Sequence, residues 1–279
     1  MKLTEISNEL NDWLDGDGPH SDIVISSRIR LARNLAEYKF LSRCSNTEKS
    51  QILERLKEVI TSIDIGENIF YISIDQANEL DRNFLVERHL ISRHHALGKG
   101  PRGAVISRKE SFTAMINEED HLRIQVIKGG LQLGSCWEQI NRIDDMIEQQ
   151  VDYAFSPKYG YLTACPTNLG TGVRVSVMLH LPALKITGQV EKLLGAARDM
   201  NLAVRGLFGE GTEATGDFYQ VCIPGCFPQC PSQDPATASG LVHRDAVAHG
   251  RRELPFHQWD PADDNCRANR NQEDPSLPL

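Results

Sequence analysis

Residues 165–174 read Cys-Pro-Thr-Asn-Leu-Gly-Thr-Gly-Val-Arg, and this stretch is the most informative in the chain. It places the Cys165 thiol beside a glycine-containing loop whose amides can approach a ligand closely, and it ends on a cation, Arg174. Taken by itself, a cysteine before a proline is a small buried residue at a turn, because free cysteine is among the most buried residue types. The segment becomes a candidate site only through the segments that accompany it.

Three other segments place arginines beside apolar runs or carboxylates. They are Ser26-Ser27-Arg28-Ile29-Arg30, Asn117-Glu118-Glu119-Asp120-His121-Leu122-Arg123 and Arg205-Gly206-Leu207-Phe208-Gly209-Glu210. Arg28 and Arg30 lie two residues apart, so both project from one face if this segment is a strand. Guanidinium groups stay charged and bind phosphate oxygens bidentately, so arginines on the faces of a sheet suit a polyphosphate. Considered singly, each arginine is a surface cation and the three acidic residues form a solvated turn.

Together these motifs resemble the catalytic domain of the phosphagen (guanidino) kinases, and more closely the bacterial protein-arginine kinase branch. The matching segments are residues 21–34, 85–90, 117–125, 165–181 and 205–213. The resemblance extends over about residues 10 to 221 and stops at an atypical or truncated C-terminus. It implies an α+β fold in which helices flank an antiparallel β-sheet.

The resemblance also implies a role for individual residues. Glu119 and Glu210 match the carboxylate pair that orients the acceptor guanidinium and takes its proton, and Cys165 would act as a thiolate beside that group. Mg²⁺ is expected on the phosphates of ATP, with no metal ligand from the protein. The implied ATP-binding residues are Ser26, Ser27, Arg28, Ile29, Arg30, His89, Arg123, Arg174, Val175, Ser176, Val177, Met178, Arg205, Gly206, Leu207, Phe208 and Gly209. Without the resemblance, His89 is interpreted as a surface or interface residue.

The absence of certain motifs and the composition of the chain limit the possible functions, independently of the family resemblance. The chain has no Gly-x-x-x-x-Gly-Lys-Ser/Thr loop and no dinucleotide-type Gly-x-Gly-x-x-Gly after a strand, so side-chain cations would have to hold a nucleotide. A net charge of -8 argues against broad nucleic-acid affinity. No apolar run is long enough to span a membrane, and the start is unlike a signal peptide. With seven irregularly spaced cysteines, these features predict a cytoplasmic protein.

Apolar periodicity predicts the elements of the fold. A capping-box pattern at residues 45–48 precedes a helical stripe over residues 52–63, and further helical stripes occupy residues 137–151 and 190–197. Short apolar segments between the helices predict strands at residues 70–74, 104–106, 112–116, 122–127, 173–181 and 203–207. Successive strands with the helices grouped elsewhere are typical of an α+β domain around an antiparallel sheet.

The sequence divides into a catalytic domain, residues 1–221, and a tail, residues 222–279. The tail holds eight of the thirteen prolines and four of the seven cysteines with almost no apolar periodicity, so we expect it to be disordered. Cys222, Cys226 and Cys230 suggest zinc binding, but intervening prolines and the absence of a Cys-x-x-Cys pair argue against it. The resemblance implies a helical C-terminal domain after the catalytic domain, and we expect residues 222–279 to contain no counterpart of it.

The identity of the acceptor follows from the resemblance and the N-terminus. Phosphagen kinases for free guanidines carry a helical domain ahead of the Ser-Ser-Arg motif, whereas 25 residues precede Ser26, so we expect the acceptor to be an arginine within a polypeptide. By family analogy the partners are arginine-bearing protein substrates, an activator protein and a Clp-type chaperone and protease of the stress response. Two alternatives stay open: a kinase for a free guanidino compound, and an inactive kinase-like adaptor.

Overall fold

A single antiparallel sheet of eight strands organises the structure, a computed structural model that describes residues 13–200, 202–206 and 215–223. The strands are β1 Val24–Arg33, β2 Ile69–Ser73, β3 Gly103–Ser107, β4 Phe112–Ile116, β5 Leu122–Gly129, β8 Val173–His180, β9 Ala203–Arg205 and β10 Phe218–Ile223. Their spatial order is β2-β3-β4-β5-β1-β8-β10-β9. A separate two-stranded ribbon consists of β6 Phe155–Ser156 and β7 Gly160–Tyr161. The predicted antiparallel sheet is confirmed.

Six helices accompany the sheet in the described part of the chain. They are α1 Asn46–Ser62, α2 Glu79–Glu87, α3 Arg93–Leu97, α4 Leu133–Glu148, α5 Pro182–Ile186 and α6 Val190–Asp199. The predicted capping box begins α1: the Ser45 side chain accepts from the Glu48 amide, and the Glu48 carboxylate accepts from the Ser45 amide. None of the helices in these described ranges is long and apolar enough to cross a bilayer.

The two faces of the sheet differ in what covers them. Ile29 and Leu31 of β1 lie in the main hydrophobic core with residues of α1 and α4. Arg28 and Arg30 alternate with them, so they project from the opposite face. A second apolar cluster, in which Leu85 and other residues around α2 and α3 pack on β3 and β4, covers that opposite face only at the β2 end. We call the two sides the helix face and the arginine face.

Most predicted elements are present, and the differences lie in short segments. The apolar stripes over 52–63, 137–151 and 190–197 correspond to α1, α4 and α6, and all six predicted strands are observed within two residues of their predicted bounds. The strand β10 was not predicted, and it crosses the proposed domain boundary at residue 221. Cys222 is buried and pairs with β8 and β9, so the sheet continues two residues into the predicted tail. Residues 224–279 lie outside the described ranges.

Buried histidines make the stability of this fold depend on pH. The Leu35 amide donates to Nδ1 of His121 at 3.0 Å, and Nε2 lies 2.8 Å from the Lys39 carbonyl, so the ring is neutral with its proton on Nε2. Burial lowers the pKa of His121 to about 4, against an ordinary value of 6.5. Burial also lowers the pKa values of His89 and His95 to about 4.

We expect the free energy of unfolding to fall as the pH drops from about 6.5 towards 4, because the unfolded chain binds protons that the folded histidines exclude. Burial raises the pKa of Asp120 to about 6 and also raises that of Glu110, so these two carboxyl groups oppose the trend, but three histidines drive it. Thermal midpoints measured between pH 8 and pH 5 test the prediction. The variant His121→Asn should be less stable at pH 8 and lose less stability on acidification. A midpoint that rises on acidification would contradict the assignment.

Candidate active site

The five arginines of the four motifs project from the same face of the sheet. This follows from the register, because residues directly opposite each other in a sheet share a face. The pairs that establish it are Arg30 with Arg174 and Gln125, Ala32 with Arg123, Arg28 with Ser176, Met178 with Gln220, and Gln220 with Arg205. The register therefore brings together on one surface cations that are up to 177 positions apart in sequence, from Arg28 to Arg205.

Within the described part of the chain, no carboxylate pairs with the positive charges of Arg28 and Arg30. Among the described residues neither forms an ion pair, and the Nε of Arg30 is buried without a hydrogen-bond partner. Burial lowers the pKa of Arg28 to about 10, and the charge of Arg174 acts in the same direction. Burial and the charges of Arg28, Arg123 and Arg174 lower the pKa of Arg30 well below its ordinary value. Burial and mutual repulsion make this group of cations unfavourable in the absence of a ligand, and a polyanion bound there would relieve both effects.

Arg123 differs from these two because carboxylates surround it. Its Nη1 lies 2.7 Å from Glu118 and its Nη2 lies 2.8 Å from Glu119. Burial alone would lower the pKa of Arg123, but the neighbouring carboxylates outweigh burial and raise it. Arg123 is also close enough to Arg30 to affect the pKa of that residue. It therefore connects the cations of the arginine face to an acidic segment.

That acidic segment is the turn between β4 and β5, residues 117–121, which we call the acidic turn. Glu118 is buried, accepts from the Ser92 hydroxyl at 2.6 Å and has a pKa of about 2, because Arg123 and Ser92 outweigh the effect of burial. Asp120 is fully buried, and burial raises its pKa to about 6. The interpretation of these residues as a solvated turn is therefore wrong for two of the three, because each buried carboxylate has polar partners that replace water.

Glu119 is the partly exposed member of the acidic turn. Its side chain keeps 35% of its accessible surface, while its Oε2 accepts from Arg123 Nη2 at 2.8 Å. Its main-chain amide donates to Glu118 Oε2 at 2.8 Å. This arrangement fixes the backbone of Glu119 and leaves its carboxylate accessible beside the arginine face. A residue that contacts a ligand needs both properties.

Cys165 lies in a loop whose entrance is tied to the acidic turn. We call residues 163–172 the cysteine loop. The Ala164 amide donates to Asp120 Oδ1 at 2.7 Å. The residue before Cys165 is therefore bonded to the residue that follows Glu119 in the acidic turn. Cys165 precedes a 3₁₀ turn over Pro166–Asn168, and its Sγ lies 3.0 Å from Thr167 Oγ1. The thiol is partly exposed, so the interpretation of Cys165 as a buried core residue is wrong.

His89 lines a small pocket on the arginine face next to Arg28. The lining includes Trp13, Ser26, Arg28, Ser176 and Met178. His89 has a positive φ of 57°, and its ring makes an edge contact with Trp13 at 5.8 Å between centroids. Burial, with the charge of Arg28 as a second cause, lowers its pKa to about 4, so the ring is neutral near pH 7. The pocket combines apolar and polar walls beside the cation cluster.

Four of the predicted nucleotide residues have side chains directed elsewhere. The side chains of Ile29, Val175 and Val177 alternate onto the helix face, so these side chains cannot contact a ligand on the arginine face. Ser27 is buried and holds the segment between β5 and α4, because its hydroxyl donates to the Gly130 carbonyl and accepts from the Gln132 amide. Gly206 is buried at the end of β9. Leu207, Phe208, Gly209 and Glu210 lie outside the described residues.

Among the residues in and around the site that were not assigned a role from the sequence are Glu118, Asp120 and Arg33. Arg33 belongs to the same strand as Arg28 and Arg30 but is buried on the other side against Asp144, with its Nη2 2.7 Å from Oδ2. The only sequence signal for this difference is the odd spacing of Arg33 from Arg30, which places the two side chains on opposite faces. No comparable signal separates Glu118 from Glu119.

A cation cluster, an accessible carboxylate and a partly exposed thiol within one surface define a class of site, one that can hold a polyphosphate against a guanidinium. A family model, "ATP:guanido phosphotransferase, C-terminal catalytic domain", matches residues 51–223. The chain belongs to this family.

Curated relatives and solved structures agree with this assignment. The chain is 46% identical over 222 residues to a protein-arginine kinase of Halothermothrix orenii, covering 79% of this chain and 63% of that protein. It is 44% identical over 220 residues to a protein-arginine kinase of Bacillus subtilis, covering 77% and 60%. The chain thus spans less than two thirds of the length of these relatives.

The solved structures support the fold. The taurocyamine kinase of Schistosoma mansoni with transition-state analogue components has a TM-score of 0.70 at 24% identity, covering 86% of this chain and 35% of that one. A lombricine kinase has a TM-score of 0.65 at 23% identity, covering 88% and 71%.

The two kinds of arginine on β1 predict opposite effects on stability. Arg33→Met leaves Asp144 buried without its partner and should cost about 3–5 kcal/mol of unfolding free energy. Arg30→Met removes an unneutralised charge and should raise the thermal midpoint of the ligand-free protein by a few degrees, about 1 kcal/mol. Thermal or urea unfolding of the two variants beside the parent chain provides the measurement. If both variants are destabilised equally, the argument that Arg30 lacks a counter-charge fails.

Proposed function

We propose that this chain transfers the γ-phosphoryl group of ATP to arginine side chains of proteins. The observation that carries the proposal is the position of Arg123. Its guanidinium binds Glu119 and also lies beside the unneutralised Arg30, so the carboxylate suited to an acceptor and the cations suited to a phosphate meet at one residue. Phosphoryl transfer depends mainly on such positioning and on neutralising charge, which side chains fixed on a sheet can provide.

The nucleotide would be held on the arginine face. Arg28, Arg30 and Arg174 would bind the phosphate oxygens, together with Arg123 and Arg205. The buried Nε of Arg30 supports this fit, because a donor without a partner in the described residues is satisfied by an anionic oxygen. The pocket beside Arg28, with the neutral ring of His89, would contact the nucleotide next to its phosphates.

The acceptor guanidinium would lie between Glu119 and the cysteine loop. In the proposed step, the acceptor nitrogen forms a bond to the γ-phosphorus, the bond from that phosphorus to the bridging oxygen breaks, and ADP leaves with the electron pair. The proton lost from the acceptor nitrogen goes to the Glu119 carboxylate. Cys165 would lie as a thiolate beside the guanidinium. Glu210, outside the described residues, is proposed as the second carboxylate on family resemblance alone.

Mg²⁺ is proposed as the accompanying ion. The described residues include no group of three or more histidine, cysteine, aspartate or glutamate side chains arranged to hold a metal. We propose that the ion is carried by the phosphates and water, because Mg²⁺ dehydrates reluctantly and is often bound through the phosphates of a nucleotide. When bound, it would neutralise part of the phosphate charge.

Protein arginine is proposed as the acceptor because curated relatives at 44–47% identity carry the name protein-arginine kinase. With this substrate we propose the setting that accompanies it: a cytoplasmic enzyme that marks proteins for Clp-type proteolysis during stress, with an activator protein as a further partner. A kinase for a free guanidine and an inactive adaptor use the same arginine face, so experiment must separate them.

The direct test incubates the full chain with Mg-ATP and a denatured protein, and locates phosphate by mass spectrometry under conditions that preserve acid-labile bonds. We expect phosphate on arginine nitrogens. Nucleotide turnover that needs free arginine or creatine, without label in protein, would identify a free-guanidine kinase. Nucleotide binding without any transfer would favour an adaptor, and label confined to serine, threonine or tyrosine would refute the proposal.

The variant Glu119→Gln should lower turnover by at least about tenfold, because general-base catalysis typically contributes 10²- to 10⁴-fold. Affinity for ATP should change little, since Arg28 and Arg30 stay in place. Glu54→Gln is the matched control: Glu54 pairs with Lys57 on the outer surface of α1, and its loss should alter neither quantity. If Glu119→Gln abolishes nucleotide binding, Glu119 acts through Arg123 and not on the acceptor.

A further inference from the structure

We propose that two adjacent residues at the end of β1, Arg33 and Asn34, are positioning residues that hold the two ends of the cysteine loop. The Arg33 side chain is directed to the helix face, where it meets Asp144 of α4, and the Asn34 side chain is buried. Arg33 donates directly to Thr171, near the C-terminal end of the loop. Asn34 donates to Leu162, which precedes the loop, and is connected to Ala164 through Asp120. The consequence for turnover depends on the proposed function, whereas the consequence for the loop does not.

Arg33 holds the C-terminal end of the cysteine loop. Its Nη1 donates to the Thr171 carbonyl at 3.0 Å, while its Nε and Nη2 donate to Asp144 Oδ2 on α4 at 3.1 and 2.7 Å. Its guanidinium carbon lies 3.6 Å from the ring centroid of Tyr161, whose amide in turn donates to the Gly170 carbonyl. The buried ion pair fixes the guanidinium, so Thr171 bonds to a donor that is held by α4.

The backbone at this end fits closely around Arg33. Gly172 has a φ of +66°, and a Cβ added there would lie 2.5 Å from Arg33 Nη1 and 2.6 Å from the Ala32 carbonyl oxygen. The Ala32 amide donates to the Gly172 carbonyl at 2.9 Å. A residue with a side chain at position 172 would therefore have to move the loop away from β1 or displace the guanidinium.

Asn34 holds the N-terminal end of the cysteine loop. Its Nδ2 donates to the Leu162 carbonyl at 3.1 Å and to Asp120 Oδ1 at 2.6 Å. The same Asp120 oxygen accepts from the Ala164 amide at 2.7 Å. Asn34 Oδ1 accepts from the His121 amide at 2.9 Å, so the side chain joins the acidic turn to the residues that lead into Cys165.

The two anchors together fix where Cys165 lies relative to Glu119. The Asn34–Asp120–Ala164 chain of hydrogen bonds connects the acidic turn to the residue before Cys165, and Arg33 prevents the far end of the loop from swinging away. A displacement of about 1 Å from a productive geometry can cost about a hundredfold in rate. Arg33 and Asn34 would therefore act on turnover through the cysteine loop, without contacting either substrate.

The test uses three variants of the full chain. Arg33→Lys keeps the charge beside Asp144 but cannot also reach Thr171. Gly172→Ala disturbs the same contact without altering a buried charge, and Asn34→Asp keeps the acceptor for His121 while removing the donor to Asp120. The control is Arg55→Lys, because Arg55 likewise donates from a guanidinium to a carbonyl, that of Gln150 at 2.8 Å, at a distant point of the fold.

The first readout is the rate at which iodoacetamide alkylates Cys165, followed by peptide mass spectrometry under conditions where circular dichroism shows the variant folded. We expect a rise of about threefold or more in the three variants, because access limits thiol reactivity, and no change in Arg55→Lys. This readout needs no kinase activity, so it distinguishes failure of this inference from failure of the proposed function. Rates equal to the parent rate in the variants that fold overturn the inference.

The second readout separates positioning from general destabilisation. If the chain is a kinase, kcat should fall by about tenfold to a hundredfold in each folded variant, while the dissociation constant for ATP stays within about twofold of the parent value. A loss of ATP affinity parallel to the loss of kcat would show that the substitutions damage the whole sheet, and would overturn the positioning role. If Arg33→Lys does not fold, Gly172→Ala tests the same contact.

Discussion

Like charges held close together on one side of β1 are the constraint on which the rest of this structure depends. Arg28 and Arg30 repel each other and Arg174, and burial removes water that would screen them. The protein tolerates this because β1 is paired along its length with β5 and β8, and because its other face carries Ile29 and Leu31 into the main core. The energy gained by that core and the ladder of hydrogen bonds holds the cations in place.

The acidic turn and the cysteine loop are organised around the edge of this charged surface. Arg123 is neutralised by Glu118 and Glu119, so it marks the place where unneutralised cations give way to paired ones. Behind it, Asp120 and Asn34 connect the turn to the loop. The acidic turn and the cysteine loop thus lie beside the cations of the arginine face, because buried hydrogen bonds, and not exposed contacts, fix the backbones of these segments.

The sequence allowed much of this arrangement to be predicted, and its limits have physical causes. Alternation along residues 24–33 predicted that Arg28 and Arg30 share a face, and the capping pattern at Ser45 predicted the start of α1. The roles of Glu118 and Asp120 could not be predicted, because their burial depends on Ser92 and Ala164, which are distant in sequence. The strand β10 could not be predicted, because a short strand next to the edge of a sheet is stabilised mainly by pairing with its neighbours, here β8 and β9.

The alternation of charged and apolar side chains along β1 has a consequence for how the protein folds. A slip of one residue in the pairing of this strand would turn Arg28 and Arg30 into the apolar core and bring Ile29 and Leu31 out to water. Such a misaligned chain would bury bare charges and could not persist as a compact form. The apolar core can therefore form only when β1 is paired in its correct register. A molecule that has formed the core also has Arg28 and Arg30 on the opposite face, so molecules with a native core and a mispaired β1 do not accumulate.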